Sequence, residues 1–146
     1  MSNARASFQS TLSVAIIGAS PQVFTPIAEV TTLGELGPET ADIEVTHLTS
    51  ADAYREYVAG AIEPGELTGV ANYLHGEATQ DLTTGLGYRQ KQRTNYRWRI
   101  ELSGVSPAEG LEFDGYVKSW KPNIGGIDDK PTLNFSIKIT GPIDEF

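Results

Sequence analysis

The sequence predicts an all-β protein, an antiparallel β-sandwich or barrel-like domain carrying one short α-helix. Three observations lead there. Residues 96–102, 112–120 and 133–140 alternate apolar with polar side chains, the period of a strand that buries one face. Fifteen Gly and eight Pro punctuate 146 residues, which suits strands and turns better than a helical bundle. Only one stretch, residues 77–87, repeats apolar residues (Ala78, Leu82, Leu86) at the four-residue spacing of a helix face.

Taken in order, residues 1–10 are polar, without pattern, and read as an N-terminal arm. Residues 12–17 form the first apolar run, ended by Gly18 and the Ser20-Pro21 turn. Residues 23–33 are rich in Val, Ile and Thr, so they should be extended, and Pro26 within them argues for an edge position or a bulge. Residues 33–42 hold two Gly and one Pro and read as a loop. Ile43 and Val45 alternate with Glu44 and Thr46. A weaker alternation returns at Leu67, Ala71 and Tyr73.

Between those two strands lies a long loop, residues 49–66, far longer than an ordinary hairpin connection. Residues 51–58 fit two helical turns capped by Ser50 or an irregular loop equally well. Glu63-Pro64-Gly65-Glu66 is a turn. A connection of this length either covers part of its own subunit or reaches another one. Beyond it come the helix at 77–87, stopped by Gly85 and Gly87, and the strand at 96–102 with Tyr96, Trp98, Ile100 and Leu102 facing inward. A turn at 103–110 follows. The next strand, 112–120, sets Phe113 and Val117 against Asp114, Tyr116 and Lys118. A hairpin loop at 121–130 leads to the last strand, where Leu133, Phe135, Ile137 and Ile139 face the core. Neither a repeat nor an interdomain linker interrupts the chain, which reads as a single domain over 1–146.

Composition narrows the function. Cysteine is absent, which excludes disulfide frameworks and thiolate metal sites. The longest apolar run, residues 14–17, is far too short to span a bilayer, so no membrane insertion is expected and synthesis in the cytoplasm is. The net charge of −8 argues against tight binding of free nucleic acid. The charge is unevenly placed. Residues 29–66 carry nine acids against one base, Arg55, whereas Arg89, Lys91, Arg93, Arg97 and Arg99 fall in eleven residues without an acid. Opposite stretches of this kind can draw copies of one chain together head to tail.

No candidate for catalysis emerges. His47 and His75 are the two histidines, without ligand spacing between them. Asp128-Asp129 lacks the spacing of a calcium loop and reads as a solvated hairpin tip. No nucleophile elbow, zinc-protease motif or phosphate loop is present. Residues 89–99 interleave bases with Tyr96 and Trp98, a pattern that stacks on single-stranded nucleic acid when the aromatics are exposed. Here the alternation turns both aromatics toward the core, leaving a solvated basic face or a contact with another subunit's acidic stretch.

Several pieces in sequence order resemble the major tail tube proteins of long-tailed, lambda-type phages: Phe24-Thr25-Pro26-Ile27-Ala28-Glu29-Val30, Glu44-Val45-Thr46, Tyr54-Arg55-Glu56-Tyr57-Val58-Ala59-Gly60, Gly65-Glu66, and the closing stretch from Leu133 to Gly141. The resemblance covers most of the chain from Val23 to Pro142. It implies a structural virion protein, not an enzyme, needing no cofactor, that forms rings, commonly hexameric, stacked into a hollow tube for DNA passage. Its expected partners are copies of itself and the tape-measure, tail-terminator and tail-tip proteins, with DNA only passing through. Under this reading Tyr54, Arg55, Tyr57, Val58, Ile62, Arg89, Lys91 and Arg93 would contact neighbouring subunits. Glu44, Thr68, Asn72, Glu112, Asp114, Asn134 and Ser136 would face the lumen. The tube protein of a type VI secretion system or gene-transfer particle is the alternative of the same architecture. A soluble β-sandwich binding module, using Trp98, Tyr116 and Trp120, is the alternative of a different class.

Overall fold

A computed structural model describes residues 10–102 and 107–146. The expected N-terminal arm, Ser10 excepted, and half of the expected turn at 103–110 lie outside the described residues. Ten strands and one helix follow in order: β1 (Thr11–Ala15), β2 (Thr25–Pro26), β3 (Val30–Leu33), β4 (Glu39–Glu44), β5 (Tyr57–Glu63), β6 (Glu66–Asn72), α1 (Leu86–Gln92), β7 (Tyr96–Glu101), β8 (Gly110–Asn123), β9 (Thr132–Ile139) and β10 (Asp144–Glu145).

Eight strands form one antiparallel sheet in the order β2-β1-β7-β8-β9-β6-β3, with β10 added alongside β8. The long strand β8 serves both halves. Its first part pairs with β7 in the register Trp98↔Phe113, and its second part pairs with β9 in the register Trp120↔Phe135. A shift in register between Val117 and Ser119 marks a bulge within the second part, the device that bends a sheet around a core. The inward residues Leu12, Trp98, Phe113, Leu67, Leu133 and Ile137 then meet in a single cluster and are fully buried. Each such side chain contributes roughly 1.5–3 kcal/mol by leaving water.

The two ends of the strand order are joined by the chain itself. β2 pairs with β1, and only three residues later β3 pairs with β6. The Ile27 amide donates to the Leu12 carbonyl and the Asn72 amide to the Glu29 carbonyl, so the link is bonded to both sides. Gln80, fully buried, clamps it. Its amide nitrogen donates to the carbonyls of Ala28 and Asn72, both at 2.9 Å, and its side-chain oxygen accepts from the Leu74 amide at 3.0 Å. Pro26 sits in the edge strand β2, where a missing N–H costs no ladder bond.

Four expectations from sequence need correction. The strand around residues 43–46 does not pair with the return strand. It belongs to β4, and its partner is β5, which lies inside the stretch read as a loop. Residues 51–58 form one 3-10 turn (Ala51–Ala53) and then enter that strand, in place of two helical turns or an irregular loop. The helix runs later than residues 77–87: the Asp81 carboxylate accepts from the amides of Thr83, Thr84 and Gly85, holding a turn there, and α1 begins only at Leu86. Leu102 ends outside β7 and is half exposed.

Candidate assembly surfaces

β4 and β5 form a two-stranded ribbon of their own. Neither has a buried residue. The register Ile43↔Val58 puts two aliphatic side chains side by side on one face, and Glu44↔Tyr57 pairs an acid with an aromatic on the other. The Val45 amide extends the ladder to the Glu56 carbonyl at 2.8 Å. At the tip the Ser50 hydroxyl donates to Glu56 at 2.6 Å, His47 lies 3.3 Å from the same carboxylate, and the Glu56 amide donates to the Thr46 hydroxyl at 2.8 Å. These bonds shape the tip while leaving Leu48 fully exposed and Tyr54 at 73% exposure. An isolated two-stranded ribbon is marginal in water, and this one leaves Ile43 and Val58 solvated on one face, Tyr57 on the other, and Tyr54 and Ile62 toward its two ends.

The second surface is the outward face of β6 and β9. The registers Thr68↔Ser136, Val70↔Asn134 and Asn72↔Thr132 bring the predicted polar residues Thr68, Asn72, Asn134 and Ser136 onto one face. Ser136 is nearly buried there and shares a 2.7 Å hydrogen bond with Ser119. Two cations on this face are neutralised, Lys118 donating to Glu66 at 2.9 Å and Lys138 to Glu63 at 2.7 Å, whereas the exposed Lys121, opposite Asn134, has no acid within ion-pair distance among the described residues. The hydrogen bond to Glu63 raises the Lys138 pKa and keeps the ammonium charged.

Glu112 and Asp114 share that face of the sheet but are not free charges. Arg97 binds three carboxylates, Glu112 and Asp114 at 3.1 Å and Asp144 at 2.9 Å. Arg99 donates from Nε to Glu112 at 2.7 Å, and its guanidinium lies over the rings of Phe24 and Phe146 at 4.0 and 4.6 Å. Desolvation of Glu112 pushes its pKa up, but the hydrogen bonds from Arg99 and Arg97 outweigh this and hold it below the ordinary carboxylate range. Arg97 and Arg99 therefore hold β7, β8 and β10 together instead of presenting charge to another subunit. Glu44 stands apart from the other predicted lumen residues, on the ribbon.

Of the remaining bases, Arg89 and Lys91 lie on α1 and Arg93 caps its C-terminus in the left-handed conformation. Arg89 lies over Tyr96 at 4.7 Å, whereas Lys91 and Arg93 are exposed. The helix and the turn before it cover the open flank of β8: Gln90 donates to the Lys118 carbonyl and Trp120 to the Gln80 carbonyl. Trp98 is fully buried, with its indole donating to the Gly115 carbonyl at 3.0 Å, which removes it from the ligand-binding alternative. Among the described residues, no group of three or more His, Asp or Glu is placed to hold a metal, and no helix is long and apolar enough to cross a membrane.

Chains from solved tail particles share this fold. The chain matches one from the tail of an empty gene transfer agent (GTA) particle of C6 symmetry, with a TM-score of 0.69 at 15% identity, covering 97% of this chain and 98% of that one. It matches a chain of the six-fold anti-feeding prophage (AFP) baseplate with a TM-score of 0.72 at 8% identity, covering 100% and 97%. It also matches the SPP1 tail tube with a TM-score of 0.62 at 12% identity, covering 93% and 75%. The protein has the tail tube fold. No family model and no curated protein matches the sequence.

Proposed function

We propose that this protein is a structural subunit of a virion-like particle, forming six-membered rings that stack into a hollow tail tube through which DNA leaves. The observation that carries this reading is the β4–β5 ribbon. A protein that worked alone would hold a solvated apolar ribbon at an entropic cost with no return. A subunit that stacks on copies of itself covers the ribbon at the contact. Fold likeness to chains from C6 and six-fold particles supports the ring. Heterologous contacts between rings repeat without limit, which yields a tube. In this reading Tyr54, Arg55, Tyr57, Val58 and Ile62 make the contact between rings, and Lys91 and Arg93 meet the acidic stretch of a lateral neighbour.

The polar face of β6 and β9 lines the lumen. DNA is gripped by free cations through counterion release. Lys118 and Lys138 already hold carboxylates, so Lys121 is the one cation without an acid partner on this wall among the described residues, and hydroxyls, amides and paired charges make up the rest of the surface along which a duplex can slide. Tape-measure, terminator and tip proteins would bind the tube's bore and ends. A gene-transfer particle or a prophage-derived injection device would use the same subunit in the same role.

The test is to replace residues 42–59 by an Asn-Gly turn and image both proteins at high concentration by negative stain. The wild-type protein should form hollow filaments. The shortened one should remain a folded monomer with a cooperative urea transition, since the strand residues removed, 42–44 and 57–59, pair only with each other. Filaments from the shortened protein would refute the assignment.

A further inference from the structure

The ribbon's base carries two adjoining concavities of opposite character. One, about 460 Å³, is apolar and lined by Pro38, Ile62, Pro64, Gly141, Pro142 and Ile143. The other, about 480 Å³, is acidic, with Glu35, Glu39, Glu63 and Glu66 on its walls. Pro38 lines both. The end of β5 explains the division: Ile62 and Pro64 point to the apolar side, Glu63 and Gly65 to the acidic side, following strand alternation. Glu63 and Glu66 are paired with Lys138 and Lys118, whereas no base lies within ion-pair distance of Glu35 or Glu39 among the described residues.

At the opposite end of the same ribbon stand Tyr54 and Arg55. Tyr54 is extended, so these two side chains also diverge to opposite sides of the backbone. Both are exposed, and no acid lies within ion-pair distance of Arg55 among the described residues. Arg55 is the one base in the acidic span from residue 29 to 66.

We propose that the ribbon tip of one copy docks on the ribbon base of the next, with Tyr54 in the apolar groove and Arg55 on Glu39 and Glu35 across the Pro38 wall. Complementary charge and matching alternation select the occupant: an aromatic followed directly by a cation meets an apolar hollow directly beside an acidic one. Tyr and Arg are the residue types that anchor desolvated contacts most often. Because tip and base are the two ends of one ribbon, the ribbon's length would set the axial spacing between successive rings. This inference rests on the tube reading and gives it a receptor site.

A charge exchange tests it. Arg55→Glu makes tip and base both acidic; Glu35→Arg and Glu39→Arg together in one chain make both basic. All the positions involved, Tyr54, Arg55, Glu35 and Glu39, are exposed, so the variants should keep the wild-type circular dichroism spectrum and melting curve. Each charge variant alone should raise the critical concentration for filament growth by about tenfold or more, the factor set by a loss of roughly 1.4 kcal/mol. Mixed in equal amounts they should polymerise again, because each tip now finds an opposite base. Tyr54→Ala should weaken assembly by a similar factor, and no mixing should rescue it. Charge variants that assemble as well as wild type, or a folded mixture that fails to recover, would overturn the docking. Failure of the wild-type protein to assemble at all would instead overturn the tube reading and the docking with it.

Discussion

Gln80 shows how much of this fold rests on single polar side chains. It holds three main-chain partners, the carbonyls of Ala28 and Asn72 and the amide of Leu74. Gln80→Leu keeps the volume and orphans all of them. An unsatisfied buried group costs about 1–3 kcal/mol, so urea denaturation should show a loss of at least that size. Nothing in the sequence marked this residue, because its role depends on where residues 28, 72 and 74 converge. Arg97 and Arg99 were invisible in the same way. Their spacing placed them on the outward face of a strand, but only the register of β7 on β8 shows that Glu112 and Asp114 stand opposite.

Among the elements, β7 and β9 were legible from their residues, since one buried face enforces alternation. β4 is legible only at its end, where Ile43 alternates with Glu44, and β5 is not legible at all. With both faces of the ribbon in water, no period in apolar residues is imposed, and residues 39–42 and 57–63 read as loop. The helix was misplaced for a local reason. The Asp81 carboxylate accepts from the amides of Thr83, Thr84 and Gly85, and the Thr83 and Thr84 hydroxyls donate to it as well, which stops a helix from forming through them. The same bonds hold the Asp81 pKa at about 2, chiefly through the Thr84 amide, against an ordinary 3.8. A carboxylate with a depressed folded pKa contributes stability above its unfolded pKa and loses it as the pH falls through the folded one. The destabilisation caused by Asp81→Asn, followed by urea denaturation, should therefore be constant above pH 3.8 and shrink as the pH approaches about 2.

For the whole molecule, the sandwich class and the long projecting segment could be read in advance, while the groove that would receive that segment could not. Its walls come from residues 38, 62–64 and 141–143, which meet only in three dimensions. The two ends of the strand order, β2 and β3, are linked by residues 27–29. The surfaces proposed for assembly are the ribbon, its base and the polar face of β6 and β9. The most direct measurement is a cryo-electron microscopy reconstruction of filaments grown from the purified protein. It should show a six-fold hollow tube with Thr68, Asn72 and Asn134 lining the bore and each ribbon seated on the adjacent ring. Solid fibres, or a protein that remains monomeric with its ribbon in solvent at every concentration, would contradict the account.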